Sequence, residues 1–346
     1  MKLASFFSGA GGLDQGFKRE GFSTLFANEF DPQIANTFAK NHPQAKLYVG
    51  SIADLLGSEL LPTGIDGFIG GPPCQSWSAA GAKRGADDPR GQLFFTYLNL
   101  IERYQPKFFV AENVPGILTE RNKASLESLL RLMTAAGYNV SFGLMNAANY
   151  GVAQDRKRVI FVGIRKDLNT WFARPQENKS KKTLMSAIGD LDPRPRAAHF
   201  GESFEFDELT TIENHHYLES KHFSPIYMSR NRVRPWSSQS FTIQASASHA
   251  PLHPIAPAMQ LVEKDKFRFD PSSQDQYRRL SVRECARIQD FPDSYIFDYR
   301  TIGTGYKMVG NAVPVGLAAA VARGVKMALL HKWQPNSAVD FQTYNF

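Results

Sequence analysis

Cys74 stands in Gly70-Gly71-Pro72-Pro73-Cys74-Gln75-Ser76-Trp77-Ser78 and is one of two cysteines in 346 residues. A thiolate in a glycine-led, proline-stiffened loop is placed to act as a nucleophile, because accessibility governs thiol reactivity and the prolines restrict the loop around it. The ordinary alternative is a small buried apolar residue. That alternative suits Cys285 better, in a helical pattern between Glu284 and Ala286. Two further stretches could serve a nucleophile. Ala111-Glu112-Asn113-Val114-Pro115 supplies a carboxyl group, and Gln154-Asp155-Arg156-Lys157-Arg158 supplies cations. Alternation in an extended segment turns Gln154, Arg156 and Arg158 to one side. Taken alone, each reads equally as a strand-end charge or a solvated charge run.

A second group of residues suggests a cofactor. Phe7-Ser8-Gly9-Ala10-Gly11-Gly12 lets backbone approach a ligand closely, although its spacing is not the three-glycine dinucleotide fingerprint. Glu29 is placed to accept hydrogen bonds from both hydroxyls of a ribose, with Phe30 beside it to stack on a purine. These point to an adenosine-bearing cofactor and leave a nicotinamide oxidoreductase open. A tight turn beside a solvated carboxylate is the plain reading.

The elements that must position these groups follow from apolar runs alternating with amphipathic segments, the pattern of a largely parallel sheet flanked by helices. Strands are expected at 3–7, 23–27, 46–49, 67–69, 107–111, 139–144 and 159–164. Helices are expected at 13–20, 93–104 and 124–136, with Asp31 and Pro32 as N-cap and first residue of another. The chain is therefore read as α/β: a doubly wound domain at 1–172 with its ligands at the carboxyl ends of the strands, and a smaller, irregular domain at 173–302. A helix at 309–330 returns the segment 303–346 to the first domain.

Composition narrows the classes. A 42% hydrophobic, 21% charged chain is globular rather than disordered, and two cysteines cannot build a disulfide framework or a four-sulfur zinc site. No long apolar run is expected to span a bilayer and the start is a poor signal peptide, so a cytoplasmic protein without membrane contact is expected. A formal charge of +7 favours a polyanionic partner, though many basic proteins bind nothing acidic. His215, His216 and His222 lie in a polar segment without metal-ligand spacing; they read as surface histidines, and no metal is expected.

Seven blocks in order, namely Phe7 to Gly12, Glu29, Pro73-Cys74-Gln75, Glu112-Asn113-Val114, Gln154-x-Arg156-x-Arg158, Arg279 to Pro292 and Gly310-Asn311-Ala312-Val313-Pro314, resemble the bacterial cytosine-5 DNA methyltransferases of the restriction–modification type. The resemblance implies a methyltransferase fold with a target-recognition domain, and a catalytic set of Cys74, Glu112, Arg156 and Arg158. Cys74 would add to carbon 6 of cytosine, Glu112 would hold or protonate N3, and Arg158 would contact O2 and help hold Glu112. Arg156 would support a loop or the phosphate backbone. It implies S-adenosylmethionine held by Phe7, Gly9, Gly12, Glu29, Phe30, Pro73, Leu93, Asn311 and Val313. Where the family usually has an Asp after the third strand, Ser51 stands here; its hydroxyl can still accept a hydrogen bond from the adenine amino group.

The same resemblance makes double-stranded DNA the partner, with the cytosine swung out of the stack, and a cognate restriction endonuclease a further one. A monomer in the bacterial cytoplasm, at the nucleoid, is expected. Arg230, Arg232 and Arg234 alternate and would point one way if extended, reading guanine or touching phosphate. Ile226 could wedge into the gap left by flipping. Arg278, Arg279, Arg283 and Arg287 are assigned to backbone or packing. The stretch from Ser229 to Trp236 is similar to members recognising GGCC. At Ala247-Ser248-His249, however, those relatives carry Gly-Arg-Gln, and the missing guanine contact would be worth about 1–3 kcal/mol. Ser248 completes the expected DNA-binding set. An RNA methyltransferase of the same chemistry and a DNA-binding module without catalysis are the alternatives; the arginine-bearing region and the complete catalytic set argue against them.

Overall fold

The computed structural model describes residues 1–73, 89–203, 213–220, 222–331 and 342–344. The chain divides into two compact units, 1–146 with 157–177 and 317–346, and 147–156 with 178–316. Sequence texture drew the divisions at 172 and 302 instead. The segments 147–156 and 303–316 go with the second unit because their backbone and buried side chains bond there. Gln154 receives the Ile243 amide, and Val315 donates to the Gln289 carbonyl.

The first unit is built on an eight-stranded sheet. Strands β1 (Lys2–Phe6), β2 (Ser23–Glu29), β3 (Lys46–Val49), β4 (Gly67–Gly70), β5 (Phe108–Asn113), β6 (Tyr138–Asn146) and β7 (Lys157–Arg165) lie in the order β6-β7-β5-β4-β1-β2-β3, with Gln342–Tyr344 beside β6. Continuous burial along β1, β4 and β5 is what a sheet covered on both faces requires. Helices α1 (Gly12–Arg19), α2 (Pro32–Asn41), α3 (Pro89–Tyr104) and α4 (Lys123–Ala135) supply the cover. Asp31 caps α2 by accepting from the Gln33 amide, with Pro32 at the first helical position.

The strands from β3 to β5 are parallel, whereas β7 runs antiparallel to both β5 and β6. The sheet is thus largely parallel, as expected, and the reversal of β7 matters: an antiparallel β7 begins where β5 ends.

The second unit has little regular structure. It holds α5 (Leu184–Ile188), α6 (Val282–Ile288), α7 (Ile302–Asn311), a parallel pair Arg196–Ala198 with His216–Leu218, and the hairpin Gln260–Glu263 with Lys266–Arg268. A local core of Tyr227, Val233, Leu252, Ala256, Met259 and Tyr277 anchors the hairpin side. Elsewhere buried charged groups sit among apolar side chains and bond its segments together. Arg278 grips the fully buried Glu284 through two bonds of 2.7 and 2.8 Å, Arg279 donates to the Ser220 and His222 carbonyls, and Arg283 donates to those of Glu213 and Tyr295. His216 is buried rather than at the surface, and His215 bonds Ser281 and the Asp192 carbonyl.

One long helix was expected at 309–330. Two occur, α7 and α8 (Val315–His331), because Pro314 cannot continue a helix and Ala312 is already extended. The stretch Ile302–His331 is apolar enough by composition to cross a membrane, contrary to the expectation that no run would be; 72% of its apolar window is buried inside the protein, as in a core helix.

Candidate active site

The carboxyl edge of β5 carries Glu112 and Asn113. In the antiparallel register Glu112 faces Ile160 and Asn113 faces Val159, so Arg158 falls just beyond the strand end. Its Nε lies 2.6 Å from Glu112 Oε1, with both side chains only 13–14% exposed. Arg158 also donates from Nη1 to the Lys157 carbonyl at 2.8 Å, which restrains the guanidinium. A shielded pair of this kind is a poor source of net stability, yet removal of one partner strands the other charge. Such a pair orients a carboxyl group.

The other carboxylate oxygen, Oε2, faces the turn after β4: a side chain begun at Gly71 would start 3.4 Å from it. Asn113 Nδ2 donates to the Pro72 carbonyl at 3.1 Å in a buried bond, while its Oδ1 accepts from the Val114 amide. β5 therefore pins the start of the Pro72-Pro73 loop beside Glu112. Pro73 is half-buried and Leu93 packs against the sheet's core. Cys74 lies outside the described residues. Asn113 was read only as part of a motif; its hold on Pro72 has no local sequence signal. Cys285 is fully buried, and burial pushes its thiol well above the ordinary range, which removes it as a nucleophile.

At the ends of β1 and β2 the backbone turns through left-handed conformations at Phe7 (φ 52°), Gly9 (φ 55°) and Gly11 (φ 78°). Glu29, 9% exposed, ties the turn: Oε2 accepts from the Gly9 amide at 2.7 Å and Oε1 from the Asp31 amide at 2.9 Å. Each oxygen keeps acceptor capacity for a ribose hydroxyl. The space above Gly9 is open, the nearest atom to a side chain there being the Phe7 carbonyl oxygen at 4.0 Å. Phe30, 74% exposed, offers a bare aromatic face. These residues fit an adenosine. Ser51 caps the short helix Ile52–Leu55 by accepting from the Ala53 amide at 3.2 Å, which leaves its hydroxyl one acceptor site. Beneath the turn, Gly12 opens α1 and the buried Asp14 accepts from Ser5 Oγ at 2.9 Å and Thr24 Oγ1 at 2.8 Å, cross-linking β1 to β2. Sequence reading passed over Asp14.

In the second unit, Gln154 and Arg156 do not share a strand face with Arg158, since β7 begins only at Lys157. Arg156 is 2% exposed and donates to the carbonyls of Ile243 (2.8 Å), Gly310 (2.7 Å) and Ala312 (3.2 Å). A guanidinium so enclosed is committed to loop backbone, one of the two roles, loop or phosphate, expected for it. Asn311 is exposed and Val313 buried at the end of α7.

The arginine triplet also separates. Arg230 is exposed, but Arg232 is 6% exposed and donates to the Tyr227 and Ile226 carbonyls at 2.7 Å each, over the Tyr227 ring. Arg234 stacks 4.1 Å above the Phe241 ring and lies 3.9 Å from Asp155. The three do not point one way because the segment is not a strand. Arg232 instead holds the turn that leaves Ile226 72% exposed. Ser248 is half-buried in the short helix Ala247–His249.

A sequence model of the C-5 cytosine-specific DNA methylases matches residues 1–327. The chain belongs to this family. Two Type II methyltransferases are similar over nearly their full lengths. M.FnuDI of Fusobacterium nucleatum is 49% identical over 335 residues, 96% of each chain. M.MthTI of Methanothermobacter thermautotrophicus is 51% identical over 329 residues, 95% of this chain and 98% of that one. A candidate DNA modification methyltransferase encoded within an Escherichia coli prophage shares the fold, with a TM-score of 0.72 at 24% identity over 96% of this chain and 99% of that one.

Membership makes the protein a DNA cytosine-5 methyltransferase and implies S-adenosylmethionine as methyl donor, which the Gly9–Glu29–Phe30 corner of the methylase fits. Of the residues expected at its sites, Glu112 and Arg158 come together at one sheet edge, and Phe7, Gly9, Gly12, Glu29 and Phe30 at the β1–β2 corner.

Proposed function

We propose that this methylase acts within a restriction–modification system, methylating carbon 5 of a flipped-out cytosine in a short GC-containing duplex site, with GGCC the leading candidate. The observation that carries the chemistry is the Glu112–Arg158 pair, fixed at 2.6 Å against the start of the Pro72-Pro73 loop that leads into Cys74. The Cys74 thiolate adds to carbon 6 of the ring. Electron density then moves toward N3, where the Glu112 carboxyl shares or supplies a proton, while Arg158 hydrogen-bonds O2 and holds Glu112 in line. Carbon 5 thereby becomes nucleophilic enough to take the methyl group. S-adenosylmethionine supplies that group as an electrophile. Loss of the carbon 5 proton to water and expulsion of the thiolate restore the aromatic ring.

Glu29 and Phe30 would orient the adenosine, with Ser51, Pro73 and Leu93 as its further holders in the first unit; Asn311 and Val313 are cofactor residues by resemblance alone. Arg230, Arg234, Ile226 and Ser248 would face DNA from the second unit, a target-recognition domain. The enzyme would work as a monomer in the bacterial cytoplasm, on nucleoid DNA, beside a cognate endonuclease. The similarity to relatives named Type II methyltransferases supports this setting.

The test is tritium transfer from labelled S-adenosylmethionine to duplex DNA, with excess tRNA as competitor, for the wild type and Cys74→Ser. Transfer to DNA that vanishes in the variant is expected; transfer surviving the substitution would refute the covalent route. Bisulfite sequencing of DNA from expressing cells maps the site, and methylation confined to sequences other than GGCC would replace that target.

A further inference from the structure

A glycine turn between a first strand and a first helix, with an acid at the end of the second strand, is also how a dinucleotide site is laid out. There the acid takes the ribose hydroxyls, and free amides of the turn hold the phosphate attached to that ribose. What separates the two kinds of site is where the amides point. In this turn they are spent inward. The Ser8 amide and hydroxyl both donate to the Asn28 carbonyl, at 3.1 and 3.0 Å, and the Gly11 amide donates to the Ser8 carbonyl at 2.9 Å. The Gly9 amide donates to Glu29 Oε2 at 2.7 Å. A carboxylate therefore sits where an entering anion would be received, and it is held there. Its Oε1 accepts from the Asp31 amide, the Glu29 backbone carbonyl accepts from the Gly50 amide at 3.0 Å, and Asn28 Nδ2 donates to the Gly50 carbonyl at 2.9 Å. These bonds fix the end of β2 against the end of β3.

We infer that Glu29 closes this corner to phosphates: by taking the Gly9 amide and placing its negative charge in the turn, it makes the site selective for an adenosine whose 5′ carbon carries no phosphate. The inference rests on the reading of the corner as an adenosine site. Two effects add. An entering phosphate finds the Gly9 donor occupied, and its charge approaches another of like sign in a partly shielded site, where repulsion exceeds its value in open water. S-adenosylmethionine, with a sulfonium on that carbon, meets neither obstacle. One side chain thus serves the ribose and also decides which class of adenosine compound is admitted.

The test is calorimetric titration of the full chain with adenosine, AMP and S-adenosylhomocysteine, for the wild type and Glu29→Gln at one ionic strength. Adenosine and AMP differ only in the 5′ phosphate, so their affinity ratio reads phosphate rejection apart from ribose binding. The wild type should bind adenosine about 100-fold more tightly than AMP. Glu29→Gln keeps the shape and removes the charge. In it adenosine and S-adenosylhomocysteine should weaken together by about tenfold, while the adenosine-to-AMP ratio falls to within about threefold of unity. A wild type that binds AMP as tightly as adenosine overturns the inference, whether or not the variant folds. A variant in which adenosine weakens but the ratio keeps its wild-type value also overturns it, leaving Glu29 as a ribose holder only. If adenosine and S-adenosylhomocysteine bind the variant as tightly as the wild type, the reading of the corner falls and the inference with it.

Discussion

Asp14→Asn should make the protein more stable at neutral pH, although it deletes a charge from the centre of a hydrogen-bonded cluster. Asp14 is 1% exposed between β1 and β2 and accepts one hydroxyl from each strand. Burial pushes its carboxyl from the ordinary 3.8 up to about 6, the two hydroxyl bonds offsetting only part of the desolvation. The folded state therefore holds a proton that the unfolded state has released across the window from 3.8 to about 6. The stability associated with this group is complete below the lower value and is lost as pH rises through the upper one. At about 1.36 kcal/mol per pH unit between the two values, full ionisation costs about 3 kcal/mol, of which about 1.4 kcal/mol falls between pH 5 and 8.

Asn keeps the shape and cannot ionise. Its Oδ1 accepts from one hydroxyl and its Nδ2 donates to the other, once that hydroxyl rotates. Urea unfolding at pH 5, 6, 7 and 8, followed by hydrogen exchange in β1 and β2 peptides, reads the free energy of this sheet rather than of the second unit. The variant should gain on the wild type by about 1.4 kcal/mol as pH rises from 5 to 8. Parallel pH profiles, or a variant less stable at pH 8, would refute the reasoning and show the carboxylate to be fully compensated.

Arg158→Ala should lower single-turnover methyl transfer by about 10²- to 10³-fold with S-adenosylmethionine binding little changed, because Glu112 loses the group that orients it; Arg158→Lys should recover only part. Arg230→Ala and Arg232→Ala should behave differently although the residues alternate. The first should weaken DNA binding and reduce the slope of log affinity against log salt by about one. The second should lower stability by about 1–3 kcal/mol in denaturant unfolding by taking from the Tyr227 carbonyl its Arg232 donor, while Ile226 keeps its bond from Ser229. An Arg232→Ala protein of unchanged stability that has lost target discrimination would make Arg232 a base reader instead.

What the sequence alone determined lies close along the chain. Strand and helix positions, the Asp31-Pro32 start of α2, the glycine turn after β1 and Glu29 at the end of β2 all depend on periodicity or on bonds between near neighbours, and those signals survive in one dimension. The order of blocks was likewise sufficient to suggest the family. Tertiary structure decided where the charged side chains went. Periodicity states which way a residue would face in a strand, but not whether the strand reaches that residue or which way its neighbour runs. Only the antiparallel pairing of β7 with β5 brings Arg158 to Glu112, 46 positions away in the chain, and only backbone 87 to 156 positions distant shows which of its two expected roles, loop or phosphate, engages Arg156. Arg232 was misread for the same reason. A buried guanidinium needs several fixed acceptors, and backbone carbonyls, which every residue possesses, leave no mark in a sequence.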